Sequence, residues 1–109
     1  MMTEAEFDRI ATATLGRFAE MLEQALGAAA EVDFQGGILT ISLDRGGEYV
    51  INKHTPNRQI WLSSPRSGAS HFSFDADHAA WIGTRSGRVL GELLAEELGA
   101  VALGPLDLG

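Results

Sequence analysis

An α+β two-layer sandwich, with an amino-terminal and a carboxy-terminal helix on one face of a five- to six-stranded antiparallel sheet, is the fold that three features of the sequence predict. Apolar residues recur at helical spacing near both ends of the chain. Between them, short runs alternate apolar and polar side chains at the period of a half-buried strand. Glycine-rich and proline-containing turns separate these runs by too few residues for crossover connections, so neighbouring strands must run antiparallel. With 109 residues, 45% of them apolar, the chain is sized for a single domain spanning 1–109.

The first helix is predicted from about Thr3 to Leu26. Thr3 followed by Glu6 has capping-box spacing, and Phe7, Ile10, Leu15, Phe18, Leu22 and Ala25 form the apolar stripe behind it. Gly27 ends it, and Ala28 to Ala30 bridge to a strand that turns Val32 and Phe34 inward and Glu31, Asp33 and Gln35 outward. Gly36 and Gly37 make a tight turn into the strand Ile38 to Asp44. Asp44, Arg45, Gly46 and Gly47 turn the chain again into Glu48 to Lys53, where Tyr49 and Ile51 point inward and Glu48, Val50 and Asn52 outward.

Thr55, Pro56 and Asn57 are turn chemistry. In the following strand, Ile60 and Leu62 take the core face and Gln59, Trp61 and Ser63 the other. A loop at Ser64 to Gly68 leads to a strand carrying Phe72 and Phe74, and Trp81 and Ile82 open a last short strand after the polar Asp75 to His78 loop. The second helix is expected to begin around Ser86, with Val89, Leu90, Leu93, Leu94 and Leu98 as its buried stripe and Gly99 as its stop. Leu103, Pro105, Leu106 and Leu108 are too apolar for a free tail and are expected to lie in a groove between the helices.

The absence of cysteine excludes disulfides, zinc–thiolate sites, thiol chemistry and cysteine-held clusters, so any metal must be held by oxygen or histidine. No apolar run approaches the roughly 20 residues of a membrane span, and the acidic amphipathic amino terminus is unlike a targeting peptide. A net charge of −7 argues against a nucleic-acid binder. The charge is unevenly placed. Residues 1–48 hold nine acids against three arginines, whereas residues 53–88 hold five bases against two acids. The negative half suits cations or a basic partner, and equally a solvated helix face.

Asn52, Gln59 and Trp61 fall together on the outward sheet face. Leaving an indole wet forgoes burial of about 150–250 Å², roughly 4–6 kcal/mol gross. Three readings stand: an interface anchor flanked by amides, an indole covered by a loop or by the carboxy-terminal tail, or a single exposed aromatic with no role. Glu20 and Glu23 share one side of a helix, and Glu31 and Asp33 one face of a strand. Such hard oxygen donors suit Fe²⁺, Fe³⁺, Mn²⁺, Ca²⁺ or Mg²⁺ held loosely, or serve only solubility. His54, His71 and His78 lack close metal-ligand spacing, and no GxSxG, HExxH, P-loop or GxGxxG run is present. No acid–base pair marks a catalytic site.

The order of elements, with GGILTISL at Gly36 to Leu43, YVINKHTPNRQIWLSSPRSG at Tyr49 to Gly68, and WIGTRSG at Trp81 to Gly87, resembles the frataxin family, including its bacterial CyaY type. The resemblance spans nearly the whole chain. Its central block is long and unusual, and its TPN and WLSSP wording is similar to mitochondrial members.

The resemblance implies a non-enzymatic, iron-binding accessory protein of iron–sulfur cluster assembly. Such a protein docks on the complex of cysteine desulfurase and scaffold protein and modulates sulfur transfer or iron delivery. Asn52, Gln59 and Trp61, with Lys53 and Ser63, would form the docking face. Asp8, Glu20, Glu23, Glu31 and Asp33, with Asp44 nearby, would form an acidic ridge that binds Fe²⁺ or Fe³⁺ weakly. Ala19, Gln24 and the Ala28 to Ala30 run thin that ridge relative to many family members. His54 stands where a glutamine is common, as a polar surface group. His71 stands near a family arginine, where it keeps a hydrogen-bonding group. The resemblance further implies a monomer, able to oligomerise with iron, in the bacterial cytoplasm, or in the mitochondrial matrix for a processed eukaryotic chain. The alternatives are a ferroxidase or iron-storing oligomer, and a protein-binding module with negligible iron affinity.

Overall fold

The computed structural model describes residues 2–108, and the chain runs as α1 (Glu4–Leu26), β1 (Ala30–Gln35), β2 (Ile38–Leu43), β3 (Glu48–His54), β4 (Gln59–Ser64), β5 (Gly68–Asp75), β6 (Ala80–Gly83) and α2 (Leu90–Leu98). The six strands pair in chain order, each antiparallel to the next, as an unbroken meander. This is the α+β arrangement expected from the alternating runs.

The first helix starts where its capping box dictates. The Glu6 backbone N–H donates to Thr3 Oγ1 at 3.1 Å, and the Thr3 N–H donates to Glu6 Oε1 at 3.0 Å. The Thr3 backbone N–H, then its hydroxyl, hold the Glu6 carboxyl below the ordinary carboxylate range. Gly27, at φ 51°, closes the helix in a conformation that costs a residue with a Cβ atom. Phe7, Ala11, Leu15, Phe18, Ala19, Leu22 and Leu26 are buried, while Ile10 is half-buried at the margin of the stripe.

The core lies between the helices and one sheet face. Leu39, Ile41, Tyr49, Ile51, Ile60 and Phe72 are fully buried from the sheet, and Leu90, Leu94 and Leu98 from α2. Trp81 fills the junction: its ring packs edge-on to Phe7 at 5.9 Å and its Nε1–H donates to Thr14 Oγ1 at 3.0 Å. Opposite residues of each strand, beginning with Glu31 and Asp33 on β1, face away from the helices.

Two expectations are corrected. The second helix begins at Leu90, not around Ser86, because the intervening residues pair backwards. The Gly83 N–H donates to Arg88 O at 2.7 Å, the Gly87 N–H to Gly83 O at 3.0 Å, and Val89 bridges Ile82 in extended conformation. The tail is only partly in its groove. Leu108 is buried among Thr14, Phe18 and Trp81, with its carbonyl accepting from Arg17 Nη1 at 3.1 Å. Leu103 instead stays 78% exposed, although its N–H donates to Ala25 O at 2.7 Å. A backbone anchor there leaves the side chain free to point outward.

Candidate functional site

The helix-free face of the sheet is organised by strand register. Ile38 on β2 lies opposite Asn52 on β3, Asn52 opposite Trp61 on β4, and Trp61 opposite His71 on β5. His54 lies opposite Gln59, and Gln59 opposite Ser73, one pleat further along. Asn52, Gln59 and Trp61 therefore do come together, with Ser63 exposed beside them. Ile38, at 46% exposure, adds an apolar side chain that strand alternation alone did not bring to the group.

The indole is half-buried, and what flanks it is two imidazoles of the sheet, not a loop or the tail. His54 stacks on one face at 3.6 Å between centroids and 7° between planes, and His71 on the other at 4.1 Å and 7°. The Trp61 Nε1–H donates to Gln59 Oε1 at 2.9 Å, and the Gln59 amide reaches Ser73 Oγ at 3.5 Å. Asn52 Nδ2 donates to the Lys53 carbonyl at 3.2 Å. His54, expected as a plain surface group, is thus part of an aromatic stack. Its Nδ1 is buried without a hydrogen-bond partner.

Lys53 leaves this group. It is the next residue after Asn52, so its side chain takes the helix side of the sheet, where Nζ pairs with Asp8 Oδ1 and donates to Thr12 Oγ1 at 3.2 Å on α1. One contact thus removes Lys53 from the open face and neutralises Asp8.

The remaining acids are spread out. Glu20 and Glu23 are exposed on α1, whereas Glu31 and Asp33 are exposed on β1, where Ala30, Val32 and Phe34 take the inward positions. Asp33 Oδ1 accepts from Gln35 Nε2 at 3.1 Å. Through Thr40 and Val50, Asp33 lies in register with Ser63, so the strand acids border the Trp61 face about 14 Å away, three strand spacings. Among the described residues, no three acidic or histidine side chains converge as a metal-binding group. Carboxylates so placed can hold a hydrated cation as loosely bound cargo and do not form a cage.

The frataxin-like domain profile matches residues 1–103. The mitochondrial frataxin of Arabidopsis thaliana is 39% identical over 99% of this chain and 60% of its own length, and that of Drosophila melanogaster is 40% identical over 86% and 54%. The chain thus spans little more than half the length of these relatives. Trimeric frataxin from the yeast Saccharomyces cerevisiae, complexed with ferrous, superposes with a TM-score of 0.70 at 32% identity, covering 93% of this chain and 87% of that one. This chain belongs to the frataxin family. The fold is shared further with the frataxin of Psychromonas ingrahamii, at a TM-score of 0.83 and 24% identity over 99% of both chains. The frataxins that match are thus both mitochondrial and bacterial. Among the described residues of this frataxin domain, no helix is long and apolar enough to cross a membrane.

A second polar centre went unread in the sequence. Glu97 on α2 accepts from the Tyr49 hydroxyl at 2.9 Å, Ser64 Oγ at 2.6 Å and Ser67 Oγ at 2.7 Å, while its backbone carbonyl accepts from Arg66 Nη1 at 2.9 Å. Partial burial pushes the Glu97 carboxyl upward, but the hydroxyls of Ser64, Ser67 and Tyr49 outweigh it and hold the group below its usual range. Burial first, then the bond to Glu97, pushes the Tyr49 phenol up to about 12. The available signal was the chain's single tyrosine at an inward strand position, since a buried phenol requires a partner. This latch ties α2 to β3 and the β4–β5 turn.

Proposed function

We propose that this frataxin-family chain is a non-catalytic accessory protein of iron–sulfur cluster assembly that docks on the cysteine desulfurase–scaffold complex through Asn52, Gln59, Trp61 and Ser63. The observation that carries the reading is the indole on the helix-free face, held upright among amides and hydroxyls although the whole apolar core lies on the other side of the sheet. Trp61→Ala is expected to raise the dissociation constant for the purified complex at least tenfold, the scale of an interface anchor worth about 1.4 kcal/mol or more, with a native far-UV spectrum. An unchanged constant, or an unfolded variant, sinks the claim. Capture of a cysteine desulfurase from lysate by the wild-type chain, lost in the variant, tests the partner's identity.

Iron in this reading is cargo on Glu20, Glu23, Glu31 and Asp33. Asp8 contributes little because Lys53 already occupies it. An Fe²⁺ titration followed by amide NMR is expected to perturb residues 20–33 and to spare Asp8; no perturbation leaves a protein-binding module without an iron role. The ferrous complex of the trimeric yeast relative favours one second reading, an iron-storing or ferroxidase oligomer. Sedimentation with and without Fe²⁺, together with oxygen uptake above the buffer rate, decides between the two.

A further inference from the structure

We infer that His54 and His71 are positioning residues: a pair of imidazole jaws that hold Trp61 on edge, so that the docking face presents the rim of the indole and not its flat surface. The inference deepens the docking reading above and rests on it. Three rings lie parallel across three neighbouring strands, His54 from β3, Trp61 from β4 and His71 from β5, with both interplanar angles at 7°. The register explains how. His71 is directly opposite Trp61, while His54 is opposite Gln59 and reaches Trp61 diagonally, a separation that ring-sized side chains span. Gln59 fixes the remaining rotation by accepting the indole N–H at 2.9 Å.

With both π faces occupied, a partner cannot stack on Trp61. It meets the ring edge, the Asn52 and Gln59 amides, and Ile38 alongside. That selects a partner surface with aliphatic groups to pack on the rim and polar groups to bond the amides, and it disfavours an aromatic or guanidinium group seeking an open π face. Neither imidazole makes a side-chain hydrogen bond among the described residues, so stacking is the interaction that the jaws perform. The charged groups around them do not compete for the rings: Arg58 donates to the Thr55 carbonyl, Asp75 pairs with His78, and Arg85 shares with His71 only the lining of an open cavity. An anchor immobilised before docking loses less side-chain freedom on binding.

The test compares His54→Ala/His71→Ala with His54→Phe/His71→Phe, using NMR of the two indole N–H groups in the free protein and calorimetric binding to the purified desulfurase–scaffold complex. In the alanine pair the Trp61 indole signal should move and the affinity fall roughly three- to tenfold, the size of a lost aromatic contact. Trp81, buried on the other side of the sheet, supplies an unmoved control signal. The phenylalanine pair should restore the affinity, because a flat ring suffices for a jaw. An unmoved Trp61 signal, or affinity lost equally in the phenylalanine pair, overturns the inference. Failure of the docking reading is distinguishable: there Trp61→Ala leaves the affinity unchanged, which removes the docking role of the jaws while the free-protein spectrum still decides whether they hold the ring.

Discussion

Removing the Glu97 carboxylate probes the latch that joins the second helix to the sheet. In Glu97→Ala the Tyr49 hydroxyl, fully buried, loses its acceptor, and Ser64, at 7% exposure, loses its shortest bond. An orphaned buried donor costs about 1–3 kcal/mol and a bond to a charged group about 1.5–3 kcal/mol, while the exposed Ser67 bond adds little. The expected loss is therefore about 3 kcal/mol, a fall in Tm of roughly 12–15 °C for a domain of this size. Glu97→Gln keeps one acceptor oxygen and should lose only about 1 kcal/mol. Tyr49→Phe removes the donor with the acceptor, so the double variant Tyr49→Phe/Glu97→Ala should recover at least about 1 kcal/mol relative to the sum of the singles. Urea unfolding with a common m-value is the assay. A loss below about 1 kcal/mol in Glu97→Ala, or additivity within about 0.5 kcal/mol, refutes the latch. Its pH dependence has a defined sign. The folded Glu97 group lies below its unfolded value, so its contribution is present above about pH 4.3 and disappears as pH falls through the folded value. Tyr49 is shifted upward to about 12, so its contribution is present below about pH 10 and is lost as pH rises towards 12. Tyr49→Phe should flatten that alkaline limb.

Leu108→Ala empties a fully buried site beside Trp81 and should cost about 2 kcal/mol, read as a fall in Tm of about 10 °C; a change within about 2 °C would mean that the tail does not seal the helices. Lys53→Met should leave affinity for the desulfurase–scaffold complex unchanged, because the side chain points to α1, and should bring Asp8 into the set of amides perturbed by Fe²⁺. A docking defect equal to that of Trp61→Ala would place Lys53 on the interface instead.

Much of the architecture was legible because it is written in local signals. Thr3 and Glu6 carry their own cap, Gly27 its own stop, and the alternation of Tyr49, Ile51, Ile60 and Leu62 already assigns them to the core face. The start of α2 was misplaced because residues 83–89 are held in a turn by the backbone bonds of Gly83 with Arg88 and Gly87 and by the Arg88 N–H donating to Ser86 Oγ, pairings that helical periodicity does not register. The tail shows the same limit: hydropathy marks Leu103 and Leu108 alike, and only packing decides that one is buried and the other exposed.

By itself, the sequence determined the order of elements, the two sheet faces, and the placing of Asn52, Gln59 and Trp61 on one of them, since these follow from periodicity and turns within a few residues. Its YVINKHTPNRQIWLSSPRSG block carried the family resemblance that the comparisons confirmed. The tertiary structure alone decided what those side chains touch. His54 and His71 close on Trp61, Lys53 crosses to Asp8, and Tyr49 and Glu97 meet across 48 positions of chain. The physical reason is that side-chain partners are set by strand register and by how helices seat on the sheet, and both are properties of the whole packed core that no local window of residues contains.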